Sequence, residues 1–185
     1  MGVTSWIPGI IAAVLVGWLV LTYNGLVRLR NQLRNAWHQI DVQLKRRYDL
    51  IPNLVEVVKD YMAYEQETLA KVIEARGQAI RAKGASEQAK AENFLTDSLK
   101  SLFAVVERYP ELKANQNVGQ LSEELTATEN KISFARQFYN DSVMMYNNRI
   151  QSVPSNVVAR IFDFPAEEYF EAGAESRAVP KADLR

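Results

Sequence analysis

Apolar and uncharged side chains run from the N-terminus to Val27, and then Arg28, Arg30, Arg34, Lys45, Arg46 and Arg47 arrive before residue 50. The most apolar part, IPGIIAAVLVGWLVL (Ile7 to Leu21), is flanked by Trp6 on one side and Trp18–Tyr23 on the other. A helix rising about 1.5 Å per residue needs roughly 20 apolar residues to cross ~30 Å of hydrocarbon, and Trp6 to Val27 supplies that length. No basic residue precedes the run, and Leu-Thr-Tyr-Asn-Gly follows it where a small-x-small cleavage site would fall. The pattern therefore predicts a retained transmembrane anchor, not a cleaved signal. Myristoylation at Gly2 is disfavoured by Trp6, which stands where that motif wants Ser or Thr. The basic flank predicts a single pass with the N-terminus out and the body in the cytoplasm. Gly9, Ala13 and Gly17 recur every fourth residue, a spacing that lets two such helices approach closely.

Beyond the anchor the apolar positions fall three and four apart. Leu26, Leu29, Leu33, Trp37, Ile40 and Leu44 mark a first helix that continues out of the membrane, with a break expected near Tyr48–Pro52. Ile51, Leu54, Val58, Met62, Leu69, Val72, Ile73 and Ile80 mark a second helix, which fades at Ala82–Ala85, where Gly84 or Ser86 can punctuate a turn. Phe94, Leu95, Leu99, Leu102, Val105 and Tyr109 mark a third, stopping before Pro110. A polar loop over Glu111–Gly119 is expected next, then a fourth helix from about Val118 to Gln151. Comparable lengths and short connections predict an all-α fold: an N-terminal transmembrane helix continuing into an antiparallel four-helix bundle. The expected division is 1–24 (anchor), 25–153 (cytoplasmic bundle, roughly 50 Å long by helix rise) and 154–185 (tail). The tail is expected to pack as a short helix near the membrane or to stay mobile, with Arg177–Arg185 disordered or extended.

The faces are broken at particular places. Glu65 and Arg76 fall inside the apolar stripe of the second helix, Arg47 lies close to that of the first, and Asp41 borders it. On the fourth helix a polar row (Glu129, Arg136, Asn140, Asn147) runs beside the main stripe. Eleven residues separate Glu65 from Arg76, about 16 Å along one helix, so each must find its partner elsewhere. An unpaired charge removed from water costs several kcal/mol, which predicts an interhelical polar network. Two readings stand: the network pins helix register, or it forms a polar pocket for a small ligand. Phe134, Phe138 and Met145 widen the apolar arc of the fourth helix. They are either buried deep inside the bundle, with the tail lying over them, or form a self-association or partner surface.

Composition narrows the chemistry. Lys+Arg and Asp+Glu each number 22, so no net charge points to nucleic acid. The juxtamembrane basic cluster reads as a topology signal, with anionic headgroup contact second. Cysteine is absent and His38 is the one histidine, with Asn35 three residues before it, so thiolate and Glu-x-x-His metal sites have no residues to use. No HExxH, P-loop, GxGxxG or GxSxG occurs. No cofactor and no enzymatic activity are expected.

Several long segments, taken in order, resemble the LemA family of bacterial membrane proteins: AWHQIDVQLKRRYDLIPNLVE (Ala36–Glu56), RYPELKANQN (Arg108–Asn117), TENKISFARQFYND (Thr128–Asp141) with VMMYNN, and PSNVVARIFDF (Pro154–Phe164). The resemblance runs from the anchor to Pro180-Lys181 and implies one transmembrane helix with an antiparallel helical bundle. It brings no catalytic or binding residue with it. It places Asp41, Arg47, Asp49, Pro52, Asn53, Glu65, Arg76, Glu129, Asn130, Arg136, Tyr139, Asn140, Tyr146 and Asn147 at family-motif positions. Asp163 stands where the family's usual Gly precedes the late Phe, which argues against a tight turn there.

The sequence thus predicts a non-enzymatic, membrane-anchored helical scaffold of the bacterial inner membrane, self-associating and in contact with the bilayer and with membrane or cytoplasmic proteins. Its alternatives are a signalling or regulatory adaptor for a membrane partner such as a protease, and a small-ligand sensor.

Overall fold

The computed structural model describes residues 6–62 and 65–170. Among them the chain is all-α, with six helices and no strand: α1 (Ile7–Val58), α2 (Gln66–Arg81), α3 (Gly84–Val106), α4 (Pro110–Lys113), α5 (Gln116–Gln151) and α6 (Ser155–Ile161). The expected disorder of Arg177–Arg185 lies outside the described residues.

The break expected near Tyr48–Pro52 is absent, and α1 runs through Pro52 to Val58. Proline normally breaks a helix because it has no N–H for the carbonyl four residues back. Here that carbonyl belongs to Tyr48, and it accepts a 2.8 Å hydrogen bond from Arg76 Nε instead. The interruption falls after Val58, so the expected second helix is cut in two. Its register shifts accordingly: Leu69, Val72, Ala75 and Ala79 form the buried face of α2, while Ile73 and Ile80 are exposed.

A further expectation needs correction. The segment expected as a polar loop holds α4, opened by Pro110 at its first turn, with Leu112 fully buried. Asn115 Oδ1 then accepts the Asn117 N–H at 2.9 Å, which satisfies a free donor at the start of α5. At the α2–α3 connection Gly84 has φ +77°, a left-handed conformation open to glycine at little steric cost.

The chain packs as two compact units, each described here through its described residues. The first comprises Met1–His38 with Phe138–Glu167. Leu26, Leu33 and Ala36 of α1, Tyr139, Val143, Tyr146 and Ile150 of α5, and Val158 and Ala159 of α6 are buried in it. After α6, Asp163 has φ +52°, and the Phe164 N–H donates to the Ala159 carbonyl at 2.9 Å. The tight turn therefore forms without glycine, since aspartate enters the left-handed region more readily than most residues. Phe164 is buried, and Asn147 holds the chain beyond it through two hydrogen bonds with the Glu167 backbone, at 2.9 and 3.0 Å.

The second unit comprises Gln39–Gln137 with Glu168–Arg185. Its core takes Ile51, Leu54, Val58 and Met62 from α1 and the segment after it, then the buried face of α2, Leu95, Leu99, Leu102, Val105 and Val106 of α3, and Val118 and Leu125 of α5. This unit carries the buried polar cluster.

Candidate functional site

Arg47 lies one turn before the core residues Ile51 and Leu54 of α1 and shares their face, so its guanidinium is carried inside with them. The side chains of Arg47 and Glu92 are 2% and 0% exposed, with Arg47 Nη1 3.3 Å from Glu92 Oε2. The same nitrogen lies 2.8 Å from Glu129 Oε2 as an ion pair. Arg47 Nη2 donates to Thr96 Oγ1 at 2.8 Å, and that hydroxyl reaches Glu129 Oε1 at 3.4 Å. One arginine of α1 thus joins α3 to α5.

Tyr48, beside it in sequence, donates its hydroxyl to Glu92 Oε1. Gln88, one turn before Glu92 on α3, reaches Glu92 Oε1 at 3.1 Å and the Tyr48 hydroxyl at 3.0 Å. Burial is the main cause that raises the Glu92 carboxyl above its usual range, against the opposing pull of the Tyr48 hydroxyl, Arg47 and Arg136. Burial, then the Glu92 charge, pushes the Tyr48 phenol up as well. A tyrosine so shifted holds its proton more firmly, the reverse of what a general base needs.

The expected network residues are distributed as follows. Arg47 and Glu129 meet directly. Arg136 lies over the Phe170 ring, 4.6 Å from its centroid, and burial disfavours its charge while Glu129 and Glu92 favour it. Among the described residues Arg76 meets the Tyr48 carbonyl. Glu65 stands half-buried at the N-terminus of α2 with no capping hydrogen bond from its side chain. Asp41 is exposed. Asn147 belongs to the first unit and binds the Glu167 backbone, and Asn140 is half-buried in that unit.

Glu92, Gln88, Thr96 and Tyr48 are the members that the sequence pattern missed. Gln88 and Glu92 sit seven and three residues before Leu95 and extend its face backwards, a signal obscured by the small buried residues Ala85 and Ala89 on the same helix.

Beside the cluster lies a cavity of about 190 Å³ lined by Arg47, Thr96 and Glu129 at its polar side and Leu99, Phe103 and Leu125 at its apolar side. Among the described residues no group of three His, Asp or Glu side chains is placed to hold a metal ion. Of the expected association residues, Phe134 in the second unit and Phe138 and Met145 in the first are all exposed among the described residues. Gly9, Ala13 and Gly17 face open space, and a Cβ added at Gly9 or Gly17 would meet nothing within 4 Å. The first stretch of α1 is long and apolar enough to cross a membrane.

The residues that build this cluster lie inside a segment that matches known proteins. Protein LemA of Metamycoplasma hominis is 29% identical over 167 residues, covering 88% of this chain and 75% of that protein. Magnetosome protein MamQ 2 of Paramagnetospirillum magneticum is 25% identical over 182 residues, covering 84% of this chain and 67% of its own length. Magnetosome protein MamQ of Magnetospirillum gryphiswaldense is 25% identical over 178 residues, covering 82% and 65%. None of these names is an enzyme's. The model of the LemA family matches residues 36–183, which take in Arg47, Glu92, Glu129 and the α6 turn, and the chain belongs to that family.

Proposed function

We propose that this chain is a non-enzymatic scaffold, anchored by α1 in the bacterial inner membrane with its N-terminus out and its body in the cytoplasm, and that it self-associates there. One observation carries the reading. From Ile7 to Trp18 every side chain of α1 is exposed, on all sides of the helix, and nearly all are apolar. Such a helix is stable in hydrocarbon and a liability in water. The basic residues that follow support the orientation.

Self-association is supported by two apolar surfaces. Gly9, Ala13 and Gly17 leave α1 free for close approach of a second helix. Phe138, Met144 and Met145 of α5 are exposed in the first unit, a patch of the kind that marks protein contacts. The magnetosome names of two relatives point to membership of a cellular structure, which fits a scaffold better than a catalyst.

The test has two parts. After an alkaline carbonate wash the chain stays with the membrane fraction, and release into the supernatant would refute the anchor. Mild detergent extraction followed by light scattering then gives a defined multimer that Phe138→Glu or Met145→Glu reduces in size. A monomeric wild type would refute the scaffold and favour the adaptor reading.

A second reading, a small-ligand sensor, is favoured by the cavity beside Arg47. At about 190 Å³ it is smaller than the usual ~300–1,000 Å³ of drug-sized sites, so its occupant would be a molecule of few heavy atoms. Native mass spectrometry retaining a small molecule that Arg47→Met loses would support it.

A further inference from the structure

Within the first unit, the free apolar length of α1 and the place where protein packing begins do not match a bilayer. The first buried side chain is Thr22. The stretch before it, Ile7 to Leu21, is 15 residues or about 22 Å of helix, short of ~30 Å of hydrocarbon. Charge does not appear until Arg28, and Ile7 to Val27 would span about 31 Å. The last turns of the span therefore coincide with residues that already carry protein neighbours.

Those neighbours are α6 and the turn after it. The Tyr23 ring lies 4.9 Å from the Phe162 ring and 5.8 Å from the Phe164 ring, and Arg30 lies 4.9 Å from the Phe164 centroid. α6 buries Ser155, Val158 and Ala159 inward. Its other side is apolar too: Val157 is 55% exposed and Ile161, four residues on, 64%, and Val153 just before the helix is 81% exposed. A water-facing helix side would carry polar residues at those positions. Arg28 on α1 and Arg160 on α6 are exposed and suit anionic headgroups.

We propose that α6 is an interfacial helix whose Val157–Ile161 side, with Val153 just before it in the chain, enters the cytoplasmic leaflet at the depth of Tyr23, making up the last turns of hydrophobic thickness. The occupant of this face is lipid. The proposal rests on the anchored reading above, and its test separates the two.

The chain has no cysteine, so single cysteines at Leu15, Val157 and Ile73 take an environment-sensitive fluorophore cleanly. All three sites are exposed, so the fold is retained. The full chain is reconstituted in vesicles of phosphatidylcholine and phosphatidylglycerol with and without spin-labelled lipid. The expected result is blue-shifted emission quenched by the lipid at Leu15 and Val157, and water-like, unquenched emission at Ile73. Quenching at Leu15 with a water-like Val157 overturns the interfacial helix and leaves the anchor standing. A blue-shifted but unquenched Val157 also overturns it, because protein such as a second copy then covers the face. No quenching at Leu15 refutes the anchor reading, and this proposal with it.

Discussion

The Tyr48 carbonyl makes a sharp test of how α1 survives Pro52. Pro52 cannot donate to it, and Arg76 Nε does so at 2.8 Å in a partly buried setting. Replacing Arg76 with Met keeps much of the stem's packing and removes the donor. A hydrogen bond to a charged group contributes about 1.5–3 kcal/mol, and partial exposure places this one near the lower end. For a chain of this size ~1.5 kcal/mol corresponds to a fall in Tm of about 3–6 °C. Pro52→Ala restores the missing N–H, and on helix propensity alone it stabilises α1 by up to ~3 kcal/mol. In that background the Tyr48 carbonyl no longer depends on Arg76, so Arg76→Met should cost only lost packing. Urea unfolding of the detergent-solubilised protein, followed by far-UV circular dichroism, gives the four stabilities. A coupling of about 1 kcal/mol between the two sites is expected, beyond the ~0.3–0.5 kcal/mol within which independent sites add. Equal cost of Arg76→Met in both backgrounds would refute the reasoning.

Three more expectations follow from the same geometry. Arg47→Met leaves the Glu92 carboxylate buried without its cation and should cost about 3–5 kcal/mol, while the double change Arg47→Met with Glu92→Gln should cost clearly less; urea midpoints decide. The Glu92 carboxyl is raised in the folded chain above its ordinary value of 4.5, so the folded state binds the extra proton. Stability should then fall as pH rises from that value through the folded one, relative to Glu92→Gln, which lacks this slope; parallel pH profiles would contradict it. Asp163→Gly should raise stability by about 1 kcal/mol by relieving the left-handed conformation at φ +52°, and a loss of stability on thermal unfolding would show that the side chain itself holds the turn.

Periodicity alone carried much of the architecture. Uncharged length gave the first turns of α1, and three-four spacing gave the long α5 and the core faces around Leu54, Leu99 and Leu125, because burying one face of a helix is a local property of sequence. It also singled out Arg47, close to the apolar stripe of the first helix, and Glu129 and Arg136, in the polar row beside the stripe of the fourth. The identities of their partners depended on folding. Arg47 meets Glu92 across 45 residues and the Tyr48 carbonyl meets Arg76 across 28, and helical spacing does not encode such distances. For the same reason the expected break at Pro52 failed: the carbonyl orphaned by a proline is one cause of helix breaks, and here a donor for it arrives from α2. Glu65 read as a buried charge because the pattern carried one helix past Val58; once α2 starts afresh, Glu65 becomes a helix terminus near water. Hydrophobic period fixes which side of each helix turns inward, whereas the satisfaction of each buried polar atom is settled by whichever distant segment packing brings alongside it.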